Sequence, residues 1–322
     1  MRPGGTRAPG DRPRPPGGLP LPDRDLIARL AVAASADAPD LRPDWPLLCQ
    51  ALAALGIEAS TRVWTDPEIR WDEFDLVLAN GAWDHIHRSV EFWDWIGRVA
   101  ASGTTLVNAP DVLRWNLDKR YLAALAGAGV ATVPTTWLTP EQNPDVRELR
   151  LPPVEFVVKP SVSGGAFQTA RYRTADGEAA ARAHIRSLLE DGRTVMIQPY
   201  QEDVDQHGEA SLIFLGGSYS HAITKGPVLR AGVGPQVHLF AQQEIRALEP
   251  TGAQQEAARL ALTAVGRLLG PNPTTYARVD LVELADGIPA VLELELLDPA
   301  LFLETQPAAA TRFAQVLRNL IP

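Results

Sequence analysis

From residue 26 onward the apolar positions fall into two alternating rhythms. Short runs rich in Val, Ile and Leu alternate with stretches whose apolar residues return every three or four positions, the signatures of buried strands and amphipathic helices. Segments 27–34, 59–64 and 74–79 read as strands, with a shorter one at 105–108. Between them, 45–55 closed by Gly56 and 91–101 stopped near Gly103 read as helices. Strands alternating with helices predict an open parallel sheet covered on both faces, an α/β unit.

After Asp111 the rhythm changes. One helix is expected to carry Trp115 through Leu122 and to end at Gly127 to Gly129, followed by the extended segment 132–137. Hairpin-like strands begin at Glu155, then a helix at 178–190 and a strand at 194–198. The last third offers strands at 209–215, 219–224, 276–282 and 290–296, with helices at 253–269 and 308–320. This order predicts two α+β lobes after the first unit, with boundaries at 1–23 for a disordered tail, 24–110, 111–200 and 201–322.

Composition narrows the partners. The 322 residues are 45% hydrophobic and 21% charged, a balance that suits packed cores. Residues 1–22 are crowded with Pro, Gly and Arg and lack any hydrophobic period, so a floppy extension is expected. The formal net charge of −9 repels a phosphate backbone, and no basic stripe offsets it, which argues against nucleic acid. No apolar run approaches the ~20 residues that span a bilayer, and the N-terminus lacks a signal-peptide core. The single Cys49 can form no bridge within the chain and reads as a small core side chain. A cytoplasmic protein is expected, as a monomer or as a homo-oligomer such as a dimer or tetramer.

Four clusters carry candidate chemistry. In the first, a β-branched strand ends in Lys159 and is followed by Ser161, Ser163, Gly164 and Gly165, whose backbone N–H groups could approach phosphate oxygens. It lacks the P-loop order, and a Gly-Gly hairpin turn explains it equally well. In the second, strand alternation puts Arg278 with Asp280, and Glu293 with Glu295, on common faces. If those strands are neighbours, three carboxylates and a guanidinium converge, an arrangement that a hard divalent cation would neutralise. The solvated side of an amphipathic hairpin explains them too. The third cluster is Met196, Ile197, Gln198, Pro199 and Tyr200, running into Glu202 and Glu209, which suits an adenine edge with a ribose carboxylate, or any edge strand. The fourth places Lys225 at another strand end, where it faces phosphate or merely solvent.

The loop Asn80, Gly81, Ala82, Trp83, Asp84, His85, Ile86, His87, Arg88 follows the third strand, at the end of a parallel sheet where ligands bind. It reads either as a substrate edge or as a polar connector. A His-x-His metal site would need a third ligand that the nearby sequence does not supply.

Taken together and in this order, the clusters resemble the ATP-grasp superfamily, over roughly residues 26–320. That resemblance implies that Lys119 and Lys159 contact nucleotide phosphates, that Ser163, Gly164 and Gly165 form a mobile loop over them, and that Met196 to Pro199, with Tyr200, form the adenine hinge. It further implies Glu202 as a ribose ligand, Glu209 as a lobe carboxylate near the nucleotide, Lys225 facing the transferred phosphate and Arg278 facing the acyl phosphate and oxyanion. Asp280, Glu293 and Glu295 resemble the magnesium set, where manganese could substitute. The Asp280 to Glu293 interval is similar to that of D-alanine:D-alanine ligases, which usually carry Asn where this chain has Glu295. Residues 291–302, including Asp298-Pro299-Ala300-Leu301-Phe302, resemble instead the cycloserine synthetase and glutathione-synthetase-like branch, as do 115–122, 134–136 and 215–221. Relatives there are expected to carry Ser-Thr-Trp-Asp-Tyr where this chain has Gly81-Ala82-Trp83-Asp84-His85. The resemblance implies an ATP-dependent carboxylate–amine ligase acting through an acyl phosphate on a small amino-acid-like substrate, with ring closure of the cycloserine type, phosphotransfer, an inactive nucleotide-binding module and ligation to a ribosomal peptide as alternatives.

Overall fold

The computed structural model describes residues 28–37, 43–236, 243–271 and 273–321, so the expected N-terminal extension lies outside the described residues. The first sheet holds β1 (Ala28–Ala34), β2 (Ile57–Val63), β3 (Leu76–Leu78) and β4 (Thr105–Val107), all parallel in the order β2-β1-β3-β4. Its helices are α1 (Trp45–Ala53) and α2 (Ser89–Ala101). Alternation along β1 sends Leu30 and Val32 toward Leu48 and Leu52 of α1, and Ala31 and Ala33 toward Phe92, Trp95, Ile96 and Val99 of α2. Both faces are covered, as the strand–helix alternation predicts.

The single helix expected after Asp111 is two helices, α3 (Pro110–Asn116) and α4 (Tyr121–Gly127). The break has a polar cause. Asp118 Oδ1 accepts the Arg120 N–H at 2.9 Å, and the Lys119 N–H leaves the helical ladder for the Ser161 carbonyl at 2.9 Å. This interruption leaves Lys119 against the loop 161–169.

The second sheet, in the order β5-β8-β6-β7, is built from β5 (Thr136–Leu138), β6 (Glu155–Pro160), β7 (Ala170–Arg173) and β8 (Val195–Pro199) and is antiparallel throughout. Helix α5 (Thr174–Glu190) covers it and starts four residues before the expected 178. His184 on α5 is buried beside the Tyr172 hydroxyl, 3.1 Å from Nδ1, and burial pushes its imidazole down to about 4. The folded state therefore resists protonation that the unfolded chain accepts near 6.5. Stability from this residue is complete above that value and falls as pH drops toward 4. Between pH 7 and pH 5 the loss is expected to be about 2 kcal/mol, read from urea unfolding at the two values, and His184→Gln should remove that slope.

The third sheet follows the short helix α6 (Val204–His207). It contains β9 (Glu209–Leu215), β10 (Ser218–Lys225), β11 (Ile245–Leu248), β12 (Tyr276–Glu283) and β13 (Pro289–Glu295) in the antiparallel order β11-β10-β9-β12-β13. Strand β11 has no counterpart in the sequence reading, because its half-exposed Ile-Arg-Ala-Leu run is too short to show an apolar period. Helix α7 (Gly252–Leu269), opened by a Thr251–Gln254 capping box, covers one face with Ala258, Ala261, Ala264 and Val265. The closing helix α8 (Ala308–Arg318) shares one core with Ile213, Leu215, Ile223 and Tyr276 of this sheet and with Leu30, Leu76 and Leu78 of the first. Asn108, just past β4, joins the same two sheets by donating to the Tyr276 and Leu296 carbonyls at 3.0 and 2.8 Å. Among the described residues no helix is long and apolar enough to cross a membrane.

Candidate active site

Strands β12 and β13 pair with Arg278 opposite Glu295 and Asp280 opposite Glu293, and a bulge follows directly after Asp280. Directly opposed residues in an antiparallel pair share a face. The four side chains therefore converge, and one carboxylate oxygen from each of Asp280, Glu293 and Glu295 lies within 4.8 Å of the others. The solvated-hairpin alternative fails here: Asp280 is 1% exposed.

The cations arrive from three other strand or helix ends. Lys159, near the end of β6, places Nζ 2.8 Å from Glu293 Oε1. Lys225, at the end of β10, stands 2.8 Å from both Glu209 Oε2 and Asp280 Oδ2. Arg278 grips Asp280 with Nε and a terminal nitrogen at 2.8 and 2.9 Å and reaches Glu295 Oε1 at 2.5 Å, while Ser211 donates to Asp280 at 2.6 Å. Lys119 donates to the Ser163 carbonyl and, at 3.3 Å, to its hydroxyl. Gly208 permits the tight approach of β9 to β10. At φ +75° its Cβ would collide with the Lys225 carbonyl, so a side chain there would push Glu209 and Lys225 apart.

Burial works against every charge in this cluster, and the neighbours decide the outcome. It opposes ionisation of Glu293, yet Lys119 and Lys159 hold that carboxyl down at about 2. Arg278 and Lys225 likewise outweigh burial and hold Asp280 well below the usual carboxylate range. Glu295 goes the other way: burial, with repulsion from Asp280 and Glu293, exceeds the pull of Arg278 and raises it. Lys119 is lowered by burial and by Lys159, against the attraction of Glu293. The carboxylates are thus over-crowded at Glu295, and the cations are under-compensated at Lys119.

The cluster lines one wall of a cleft of about 690 Å³ between the second and third sheets and the carboxyl end of the first. Of the residues singled out from sequence, Lys119, Lys159, Lys225, Glu209 and Arg278 line it, with Glu293 and Glu295. So do Ser163, Gly164, Gly165, Gln198, Pro199 and Tyr200. Met196, Ile197 and Glu202 do not. Strand β8 is internal, paired with β5 and β6, and carries Met196 and Ile197 into two hydrophobic cores, while the exposed Glu202 lies beyond the cleft lining. Asp280 stands behind the wall, under Arg278 and Lys225.

The loop from Ser161 to Thr169 bends sharply, with positive φ at Gly165, Ala166 and Gln168. It docks on the loop after β3: the Phe167 ring meets His87 edge-on at 4.6 Å, and Gly164 faces Ile86. Gly81 and His85 line the cleft, as does Asn80, whereas His87 serves that docking. Among the described residues the one cluster of three possible metal ligands is the carboxylate set, which leaves the two histidines outside it. Sequence reasoning missed Asp44, Trp45 and Phe302 in the cleft lining. Asp44 occupies the N-cap position of α1, but its side chain makes no cap bond, and nothing local in the sequence marks its distant partners.

Comparison with known proteins gives the chain its relatives. Residues 30–108 match the family model described as D-cycloserine synthetase DcsG, N-terminal domain. The chain is 38% identical over 294 residues to the cycloserine biosynthesis protein DcsG of Streptomyces lavendulae, covering 89% of this chain and 97% of that protein. It is similar to the crystal structure of D-cycloserine synthetase DcsG, with a TM-score of 0.83, 35% identity and coverage of 92% of this chain and 100% of that one. The D-alanine–D-alanine ligase from Bacillus anthracis, crystallised with ATP, shares the fold at a TM-score of 0.62 and 17% identity, over 92% of this chain and 96% of that one.

Proposed function

The chain belongs to the D-cycloserine synthetase family of ATP-grasp ligases, and on that premise we propose that it activates the carboxylate of a small amino-acid-like substrate as an acyl phosphate and closes it onto a nitrogen. The observation that carries this reading is the charge balance of the cleft wall and of Asp280 directly behind it. Lys119, Lys159, Lys225 and Arg278 stand against Glu209, Asp280, Glu293 and Glu295, so a nucleotide entering with its divalent cations adds no net buried charge.

The donor set fits magnesium. Three carboxylates with hard oxygen atoms within 4.8 Å of one another suit an oxygen-ligated cation, and the raised Glu295 carboxyl is the mark of like charges awaiting one. Magnesium held by Asp280, Glu293 and Glu295 would neutralise the β- and γ-phosphates; manganese offers the same charge. Lys119 and Lys159 would meet phosphate oxygens, which supply the counter-charge that Lys119 lacks. Gln198, Pro199 and Tyr200 would line the base pocket, and Ser163 to Gly165 would cover the phosphates and exclude water.

The substrate carboxylate oxygen attacks the γ-phosphorus, the bond to the β–γ bridging oxygen breaks, and ADP leaves. A nitrogen then attacks the acyl carbon, phosphate departs, and the nitrogen loses a proton. Arg278, aimed into the cleft and fixed by Asp280 and Glu295, would stabilise the oxyanion between those steps. The name of the 38% identical relative favours a nitrogen within the same molecule, giving a small ring of the cycloserine type. ADP release should appear with O-substituted serines that carry a terminal nitrogen, and added hydroxylamine should divert product to a hydroxamate. ADP release without any hydroxamate would point to phosphotransfer and sink the acyl-phosphate reading.

A further inference from the structure

The segment after β13 runs along the cleft, and Ala300, Leu301, Phe302 and Leu303 all line it. It belongs to no regular element until the short turn at Leu303–Thr305. Phe302 sits in the left-handed region, φ +50° and ψ +40°, which is strained for a non-glycine residue and persists only where the surroundings hold it. The consequence of that bend is that the N–H groups of Leu301 and Leu303 point the same way. Both are accepted by one carboxylate, Asp44, at 3.1 and 2.5 Å. Asp44 is 7% exposed and lies more than 250 residues upstream, immediately before α1 of the first sheet's unit.

The other side of the turn faces Arg278. The Ala300 carbonyl accepts from Arg278 at 3.1 Å, and the Phe302 ring lies 5.7 Å from the guanidinium carbon. Asn80 donates to the Pro299 carbonyl at 2.8 Å, and the His221 ring nitrogen bonds the Leu301 carbonyl at 2.9 Å. Asn80 and His221 hold carbonyls of the turn. Asp44 accepts both of the amides that flank the strained residue.

We propose that Asp44 is a positioning residue for Arg278: by clamping both amides around the left-handed Phe302, it sets the carbonyl and the ring that aim the guanidinium into the cleft. This rests on the role assigned above to Arg278. It couples the unit that carries the substrate edge to the centre where the acyl group reacts. Asparagine cannot replace Asp44, because its NH2 group would face one of the two N–H donors.

The test is a cycle of Asp44→Asn and Phe302→Gly, each alone and together, assayed for product formation and for ATP KM, with a crystal structure of Asp44→Asn. Glycine adopts positive φ without strain, so the turn needs less clamping in that background. Asp44→Asn is expected to lower kcat by at least tenfold with ATP KM within twofold, and to lower it less when Phe302 is already glycine. The crystal structure should show Phe302 out of the left-handed region and the Ala300–Arg278 bond lost. An unchanged turn in that structure would overturn the proposal whether or not a substrate is in hand, so its failure is separable from failure of the ligase reading. An equal loss in both backgrounds would also overturn it, since that is what a direct substrate contact gives. Should Asp44→Asn not fold alone, the double variant and Asp44→Glu carry the same comparison.

Discussion

Asp280→Asn is expected to abolish ADP formation and to lower stability by about 3–5 kcal/mol, the cost of breaking a buried ion pair from one side. Asp280 is the most buried member of the cluster and accepts from Arg278, Lys225 and Ser211. Asparagine keeps the volume but removes the charge that compensates two buried cations, and its NH2 group would be turned toward donors. Lys225 retains Glu209 and Arg278 retains Glu295, so the site should loosen rather than unfold the chain. Denaturant unfolding followed by circular dichroism measures the stability, and a coupled ADP assay on protein shown to be folded measures the activity. Because Asp280 also faces Glu293 across the strand pair, the chemical loss should persist at saturating magnesium. Full turnover in the folded variant would remove Asp280 from the proposed metal set.

The legible part of this molecule was what obeys local rules. Alternation along β1 and the 3.6-residue rhythm of α2 and α7 are visible because each buries one stripe or both faces against its own sheet. The convergence of Arg278, Asp280, Glu293 and Glu295 was conditional on β12 and β13 being neighbours, and the pairing of Asp280 with Glu293 meets that condition. Edge and hinge features were harder. Strand β11 is a half-exposed four-residue edge, and the break between α3 and α4 depends on a bond from Lys119 to Ser161 that no helical window contains. Met196 and Ile197 illustrate the opposite error: an apolar strand read as a possible ligand edge is internal, with partners on both sides. Asp44 was invisible because its partners, Leu301 and Leu303, are backbone amides whose direction is set by a positive φ, which a phenylalanine does not advertise.

Arg278→Lys should separate the two halves of the proposed reaction. In the present geometry the guanidinium uses its fork on Asp280, reaches Glu295 with a terminal nitrogen and donates to the Ala300 carbonyl, four bonds to three partners that one ammonium cannot reproduce. The positive charge remains, so Asp280 keeps a counter-ion and the fold should survive. On the proposed mechanism what is lost is a donor fixed where the tetrahedral oxyanion would form, an interaction whose removal costs about 10²–10³ in rate. Phosphoryl transfer, assigned above to the lysines and the carboxylate set, should be slowed far less. The acyl phosphate then outlives its normal capture and is taken by water, so ADP release should exceed ring or amide product, and added hydroxylamine should trap a larger share of turnovers than in the wild type. Product and ADP measured together give the ratio. If Arg278→Lys slows both equally and leaves the ratio at one, the guanidinium acts before the acyl phosphate forms, and its place is beside the γ-phosphate rather than the oxyanion.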